Sequence, residues 1–110
     1  MAVYQIIDLE IHNPELYAQY MSQVTAIVQR YGGRYLVRGG KVLSTAGGWE
    51  PNRIVVIAFE SVDTLRQCYT SPEYQAIVHL RMRSSKSKSI VIEGADFHSS
   101  SLPLKGEEQG

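Results

Sequence analysis

Hydrophobic residues alternate with other residues in four short segments of the chain and recur every three or four residues in two longer ones. Alternation is typical of β-strands, and the longer spacing is typical of helices. The pattern predicts strands at residues 2–11, 34–38, 53–59 and 90–92, and helices that begin at Asn13 and Ser61. Residues 53–59 are apolar in both alternating rows, as is the first half of 2–11, so we expect these two strands in the middle of a sheet.

Both helices carry start signals of known type. Asn13-Pro14 is a preferred helix start, and Gly32-Gly33 ends the first helix because glycine accepts the left-handed conformation of a helix terminus. Ser71-Pro72 repeats the pattern of a capping residue followed by proline inside the second helix. The second helix is therefore predicted to bend or restart at this point.

Two polar stretches are assigned from their composition. Gly39-Gly40 breaks the second strand, and residues 41–43 are predicted to resume its ladder after a bulge. Residues 84–89 contain only serine and lysine, which favours a polar connector before the last strand.

The element order is strand, helix, strand, strand, helix, strand, which predicts an α+β, ferredoxin-like fold with a four-stranded antiparallel sheet. We expect one such domain at residues 1–98, followed by a C-terminal tail at 99–110 that is rich in Ser, Gly, Glu and Gln. Two helices cover only one face of this sheet, and a large apolar face is rarely left to water. A homodimer whose two sheets close into an α/β barrel is therefore predicted, and a monomer with a solvated sheet face is the alternative.

Charge and composition narrow the class of protein. The 110 residues include 11 Lys or Arg and 11 Asp or Glu, and this neutral balance argues against a general binder of nucleic acids or anionic membranes. Cys68 is the only cysteine, which excludes an intrachain disulfide. No apolar run approaches 18 residues and the start does not resemble a signal peptide, so we expect a cytoplasmic protein.

Several motifs in sequence order carry a family resemblance. They are Tyr31–Gly40, Trp49–Arg53, Ser71–Gln75 and Val91–Gly94, together with the opening around Pro14 and Tyr17. Over about residues 2–96 the chain resembles the domain-of-unknown-function family 1330. The resemblance implies a dimeric α/β barrel and no established activity. The family often carries an acidic residue before the tryptophan, where this chain has Thr45–Gly48.

Arg38 is the leading candidate for binding a ligand. It shares a strand face with Leu36 in a regular strand, and from there it could project toward a cavity between the helices and the sheet. A guanidinium in that position offers a planar, permanently charged fork for a carboxylate or phosphate. Alternatively, Arg38 pairs with Glu50, Glu73 or Glu93 and only holds the loop.

Other aromatic and basic side chains are candidates for the same cavity. Trp49 could cover a pocket and Arg53 could orient an anion, or Trp49 could instead plug the barrel end or the dimer contact. Tyr35 and Tyr74 complete the predicted ligand-binding set, and Tyr74 is also expected to be a core residue with a bonded hydroxyl.

Glu73, Tyr69 and His12 are the candidates for proton transfer. A carboxylate beside phenols can move a proton, although Glu73 at the start of a helix also suits a partner of the helix dipole. His12 follows a strand directly before a helix cap, near the expected mouth of the barrel.

We expect no metal and no cofactor. His12, His79 and His98 lack the spacing of a ligand pair, although a metal site assembled across a dimer stays open. No phosphate-binding loop, nucleophile elbow or dinucleotide fingerprint occurs. The basic residues at 81–88 are expected to be solvated, and Cys68 is expected in the core.

The sequence favours a small-molecule-binding dimeric barrel whose pocket takes a small organic acid through Arg38. One alternative is a cofactor-independent enzyme of oxygenase or isomerase type, with Arg38 as the anion anchor and Glu73, a tyrosine or His12 for proton transfer. The other alternative is a non-catalytic structural or interaction protein whose cavity is filled by side chains. The expected partners are a second copy of the chain and a small organic ligand.

Overall fold

A computed structural model describes residues 1–95. Its strands and helices are β1 (Val3–Ile11), α1 (Pro14–Arg30), β2 (Arg34–Arg38), β3 (Arg53–Phe59), α2 (Val62–Thr70), α3 (Pro72–Gln75), α4 (Val78–Ser84) and β4 (Ser85–Glu93). The four strands form one antiparallel sheet in the order β2-β3-β1-β4, with β1 and β3 in the middle. This confirms the predicted ferredoxin-like fold. The predicted tail at 99–110 lies outside the described residues.

Local capping explains where the helices begin. The Asn13 side chain accepts a hydrogen bond from the Leu16 N–H at 3.1 Å, and Ser61 forms a capping box with Thr64 at the start of α2. Ser71 ends α2 and its hydroxyl accepts from the Tyr74 N–H at 3.1 Å, so the predicted restart occurs at Ser71-Pro72. At the end of α1, a side chain on Gly33 would overlap Val28 and Phe59, which explains why glycine stands there.

The last strand is longer than the sequence pattern predicts. Residues 85–89, expected in a connector, pair with β1 and belong to β4. The expectation was wrong because the segment alternates between short and long polar side chains rather than between apolar and polar ones. Serines at 85, 87 and 89 occupy the helix side of the sheet, and Lys86 and Lys88 occupy the opposite side. The predicted continuation of β2 at residues 41–43 does not form, and these residues lie in a loop.

A bulge in β2 changes which residues share a face. Tyr35 pairs with Ile57 and Val37 pairs with Val56, so the register skips Leu36. Tyr35 and Arg38 therefore both lie on the helix side of the sheet. The expectation that Arg38 shares a face with Leu36 was wrong because it assumed regular alternation.

The helices cover one face of the sheet and bury the core against it. Buried side chains of that core come from every helix and from the two central strands: Val3, Leu9, Tyr17, Tyr20, Val24, Ile27, Val28, Val55, Ile57, Phe59, Leu65, Cys68, Tyr74, Ile77 and Leu80. Cys68 is fully buried, as expected of a core residue, and burial raises the pKa of its thiol to about 11.

Nothing within residues 1–95 covers the opposite face of the sheet, which we call the open face. Its apolar side chains are Tyr4, Ile6, Val37, Ile54, Val56, Ile90 and Ile92. Ile90 is 56% exposed and Ile92 is 51% exposed, both high values for isoleucine in a strand. No helix in this part of the chain has the length and hydropathy needed to cross a bilayer.

Candidate functional site

A cavity between the helices and the sheet has two neighbouring chambers that share part of their wall. The inner chamber has a volume of about 40 Å³ and is lined by Ile7, Leu9, Tyr17, Tyr20, Met21, Val24, Tyr35, Arg38, Arg53, Val55, Ile57, Tyr69 and Arg81. The outer chamber has a volume of about 320 Å³ and is lined by Gln5, Ile7, Tyr20, Tyr69, Tyr74, Gln75, Val78, Arg81, Ser87 and Ser89. Four residues line both chambers, and together the chambers reach the lower end of the size range of small-molecule sites.

The cavity wall is basic and has no acidic residue. Arg38, Arg53 and Arg81 line the inner chamber, whereas no Asp, Glu, His or Lys lines either chamber in the described part of the chain. The two ion pairs found within residues 1–95 are Arg30–Glu73 and Arg66–Asp63, and both lie elsewhere. The charges of the three cavity arginines are therefore not neutralised by any carboxylate of residues 1–95.

Arg53 has a buried hydrogen-bond donor that is not used. Its Nε is buried and has no hydrogen-bond partner among the described residues. Leaving a buried donor of a charged group unpaired costs free energy of about 1–3 kcal/mol or more. The guanidinium packs against Gly39, where any side chain would overlap it. This group is thus held in place by the backbone, with one buried donor left without a partner among the described residues.

Arg38 lies at the exposed edge of the same chamber. Its guanidinium carbon is 4.4 Å from the centre of the Tyr35 ring, a cation–π geometry, and its Nη2 donates a hydrogen bond to the Thr25 hydroxyl. No ion pair joins Arg38 to the three glutamates named above as alternatives. The structure thus brings Arg38, Tyr35 and Arg53 together as the sequence predicts.

Arg81 is a site residue that the sequence analysis missed. Its Nε donates to the Tyr74 hydroxyl at 3.2 Å and its Nη1 donates to Ser87 Oγ at 3.1 Å. The Tyr74 hydroxyl also lies 2.9 Å from that of Tyr20. A signal was present in the sequence, because Arg81 falls four residues after Ile77 on the apolar side of the helix. It was grouped instead with the solvated basic residues that follow it.

Three phenols of the inner chamber, those of Tyr17, Tyr35 and Tyr69, stay protonated at neutral pH. Burial raises the pKa of Tyr35 to about 12 and raises the pKa of Tyr69 further. The Tyr69 hydroxyl donates to Gln5 Oε1 at 2.6 Å. Burial also raises the pKa of Tyr17, and the charges of all three cavity arginines act against this rise, which places its phenol among them. These tyrosines can donate hydrogen bonds to an anion but do not act as bases.

The other predicted site residues lie outside the inner chamber. Tyr74 is buried and contacts the outer chamber only, with the bonded hydroxyl that was expected. Trp49 is 57% exposed and lies near Asp8 and Lys88 of the open face, on the other side of the sheet. His12 is exposed beyond the end of β1 and lines neither chamber.

Glu73 is engaged in a contact between helices. Its carboxylate accepts hydrogen bonds from Arg30 at 3.0 Å and from the Tyr31 hydroxyl at 3.2 Å. A hydrogen bond from its own backbone N–H, followed by those from Arg30 and Tyr31, holds the pKa of Glu73 below its ordinary value. The carboxylate is therefore ionised at neutral pH and lies apart from the cavity.

Comparisons with solved structures show several similar folds. A protein of unknown function from Rhodopseudomonas palustris is 16% identical with a TM-score of 0.66, over 86% of this chain and 83% of that one. SnoaB, a cofactor-independent oxygenase from Streptomyces nogalater, is 14% identical with a TM-score of 0.63, over 89% of this chain and 97% of that one. A dabb family protein with a ferredoxin-like fold from Mesorhizobium loti is 10% identical with a TM-score of 0.60, over 86% of this chain and 98% of that one.

At these identities the likeness shows the fold alone. None of the curated proteins compared with the chain is similar to it. The model of one protein family, described as a domain of unknown function and numbered 1330, matches residues 2–95. The match covers every described helix and strand, and the chain belongs to the domain-of-unknown-function family 1330.

Proposed function

We propose that the protein binds a small organic acid in the cavity between its helices and its sheet. The carboxylate of the acid is bound by Arg38 and Arg53 beside the inner chamber, and its apolar body extends from there into the cavity. The observation that carries this proposal is the guanidinium of Arg53, whose buried Nε is unpaired, in a chamber whose wall, as far as residues 1–95 form it, contains three arginines and no acid.

The charge of the wall supports an anionic ligand. A buried cation is normally paired with an acid of the protein, because taking a charge out of water is costly. Arg53, whose Nε is buried, has no such partner within residues 1–95. A carboxylate matches the fork of a guanidinium and can accept two parallel hydrogen bonds from it.

The rest of the wall supports a ligand with a flat or extended apolar body. Aliphatic and aromatic side chains make up most of the inner chamber. Tyr17 and Tyr35 supply ring surface beside the arginines, and burying apolar area against such a surface contributes about 25 cal/mol per Å². This combination is typical of sites in which polar groups orient a largely apolar ligand.

Calorimetric titration with matched acids and amides tests the proposal. We expect 4-methylbenzoate or hexanoate to bind, and the corresponding amides to bind at least tenfold more weakly, because an amide lacks the charge that the guanidiniums recognise. Arg53→Met is expected to weaken binding of the acid by tenfold or more, in line with a charge-assisted hydrogen bond of about 1.5–3 kcal/mol.

Arg66→Met is the matched control, since Arg66 is exposed on α2 and lies outside both chambers. We expect it to bind the acid like the unaltered protein. The proposal fails if no acid binds, if acid and amide bind equally, or if Arg53→Met folds and binds as tightly as the control.

A cofactor-independent enzyme is the second candidate, favoured by Tyr69, which lines both chambers. SnoaB, which has a similar fold, is described as such an oxygenase. The raised pKa of Tyr35 and Tyr69 keeps these two phenols protonated at neutral pH, so they would act as hydrogen-bond donors rather than as bases. Loss of any turnover in Tyr69→Phe, with ligand binding retained, would support catalysis over binding alone.

A second copy of the chain is the proposed partner of the open face. The apolar part of this face includes side chains from all four strands, and such surfaces are seldom left to water. At one end of the face Asp8 lies opposite Lys88 and Glu10 lies opposite Lys86. A patch that carries apolar groups and both signs of charge is self-complementary across a two-fold axis.

A further inference from the structure

Two arginines of the cavity are held toward opposite edges of the sheet, because Arg53 packs against Gly39 after β2 and Arg81 bonds Ser87 of β4. We infer that the ligand has two acidic groups, one at each end of an apolar body, so that its chemical class is a dicarboxylate or an acid of equivalent shape. This inference rests on the proposed binding of an acid and goes further, since one arginine end would suffice for a monocarboxylate.

The sheet register sets the separation of the two ends. Arg53 on β3 pairs with Leu9 on β1, and Leu9 pairs with Ser87 on β4, so the three residues form one row across the sheet. Neighbouring strands lie about 4.8 Å apart, which puts β3 and β4 about 10 Å apart. Arg81 reaches the β4 side of this row, since its Nη1 bonds Ser87.

The guanidinium of Arg53 is directed toward β2, away from the edge that Arg81 reaches. It packs against Gly39, which directly follows β2 at the opposite edge of the sheet. The floor of the chamber between the two arginines includes Ile7 and Leu9, which cannot bind a polar group. An apolar spacer of several carbon atoms fits this arrangement, with an acidic group at either end.

Both ends retain donors for an anion. A guanidinium has five N–H groups. Within the described residues Arg81 uses its Nε for Tyr74 and one Nη1 hydrogen for Ser87, and Arg53 leaves its buried Nε unpaired. Neither arginine forms an ion pair with a carboxylate of residues 1–95. The two ends can therefore each accept an anionic group without breaking a contact of the free protein.

Calorimetry with two matched pairs of compounds tests the inference on the unaltered protein. The pairs are terephthalate with 4-methylbenzoate, and 4-carboxycinnamate with 4-methylcinnamate, in which a methyl group replaces one carboxylate at similar shape. We expect at least one dicarboxylate to bind tenfold or more tightly than its partner. If both dicarboxylates bind within twofold of their partners, or more weakly, the inference is wrong.

A variant of Arg81 tests whether this arginine binds the second acidic group of the ligand. Arg81→Gln keeps a donor for Tyr74 but removes the charge, and it should bring the affinity for the dicarboxylate down to the affinity for the monocarboxylate, both measured on this variant. An advantage of the dicarboxylate that persists in this variant overturns the assignment. If Arg81→Gln does not fold, as judged by its thermal transition, the comparison on the unaltered protein still decides.

The outcomes separate this inference from the function on which it rests. If mono- and dicarboxylates bind equally and Arg53→Met abolishes both, the proposed organic acid site is retained. Only the inference of a ligand with two acidic groups is then wrong. Absence of binding by all four compounds removes both.

Discussion

Gly39 determines where the charge of Arg53 can lie. Its φ of +73° is in the left-handed region, and its N–H donates to the Ile54 carbonyl at 2.8 Å, which fixes the backbone beside the guanidinium. A side chain at this position would overlap the guanidinium itself. Of the glycines in the loop after β2, Gly39 is therefore a positioning residue for the anion site.

Gly39→Ala is expected to weaken binding of 4-methylbenzoate at least tenfold, because the methyl group displaces the guanidinium of Arg53. Calorimetric titration measures this effect. The substitution should also lower stability by about 1 kcal/mol, the usual cost of a left-handed conformation in a residue with a side chain.

Two other glycines separate these effects. Gly47 has a φ of +74° with open space around it, so Gly47→Ala should share the loss of stability but bind normally. Gly40→Ala, also in open space, should change neither quantity. Equal binding by the Gly39 and Gly47 variants would contradict the positioning role.

Local sequence patterns predict the residues of the candidate site that lie on strands, but not those whose place depends on how the helices pack. Arg38, Arg53 and Tyr35 are indicated by residue type and by their place on strands, and all three line the inner chamber. Arg81 and Tyr17 are missed because their roles depend on how the helices pack over the sheet, which no local pattern encodes. The place of Arg81 on the apolar side of the helix indicates that it faces the sheet, but without the position of α4 it does not show which groups the guanidinium meets.

At the scale of elements, Glu73 connects the short helix α3 to the end of α1. It accepts hydrogen bonds from Arg30 and Tyr31, whose side chains come from that end. A carboxylate whose pKa is lowered by folding stabilises the protein above its unfolded pKa of about 4.3, and this contribution is lost as the pH falls through the folded value.

Glu73→Gln is therefore expected to lower the melting temperature at pH 7, and the difference should shrink as the pH falls below the unfolded pKa of about 4.3 toward the lower folded value. The drop should be small, on the order of 1 to 3 °C, since the group is only partly buried. Thermal melts followed by circular dichroism at several pH values measure it.

Arg66→Gln serves as the comparison, because it breaks an exposed pair whose atoms are 3.9 Å apart and should have no measurable effect. If Glu73→Gln matches this control at pH 7, the contact does not stabilise the helix junction. Unchanged binding of the organic acid in Glu73→Gln is also expected, since its carboxylate lies outside the cavity.

Helices begin where the sequence predicts when a capping residue marks the start. Strand boundaries differ from the prediction where pairing with a neighbouring strand determines them. Asn13 and Ser71 begin helices as predicted, because a side-chain acceptor acts on the next turn alone. Residues 85–89 join β4 because β1 offers unpaired backbone groups along its whole length, which outweighs the weak strand preference of serine and lysine. The bulge at Leu36 likewise depends on the register with β3.

At the scale of the whole molecule, the open face is the surface through which we propose that the chain associates. Its isoleucines on β4 lie at an exposed edge of the sheet, and the proposed two-fold partner would cover them. The fold itself was predictable from the order of elements, since this order admits few topologies with short connections. Association depends on a surface whose partner is a separate molecule, and it therefore stays a proposal.

Ile92→Glu is expected to convert the proposed dimer into a monomer, because it places a charge in the apolar part of the open face. Sedimentation or light scattering should show a species of twice the chain mass for the unaltered protein and of single mass for the variant. Leu43→Glu is the control, since Leu43 is 87% exposed in the loop after β2 and should leave the mass unchanged. An unaltered protein that stays monomeric at high concentration would rule out the pairing.

The three cavity arginines have a consequence for any search for the ligand. Like charges in a confined, partly buried space repel one another, and a small counter-ion that enters relieves this repulsion. Chloride, sulfate or phosphate in the buffer will thus compete with an acid for the same guanidiniums and raise the melting temperature by mass action. Candidate ligands are therefore best tested at low ionic strength. There fewer salt anions compete with the organic acid, and its attraction to the guanidiniums is least shielded.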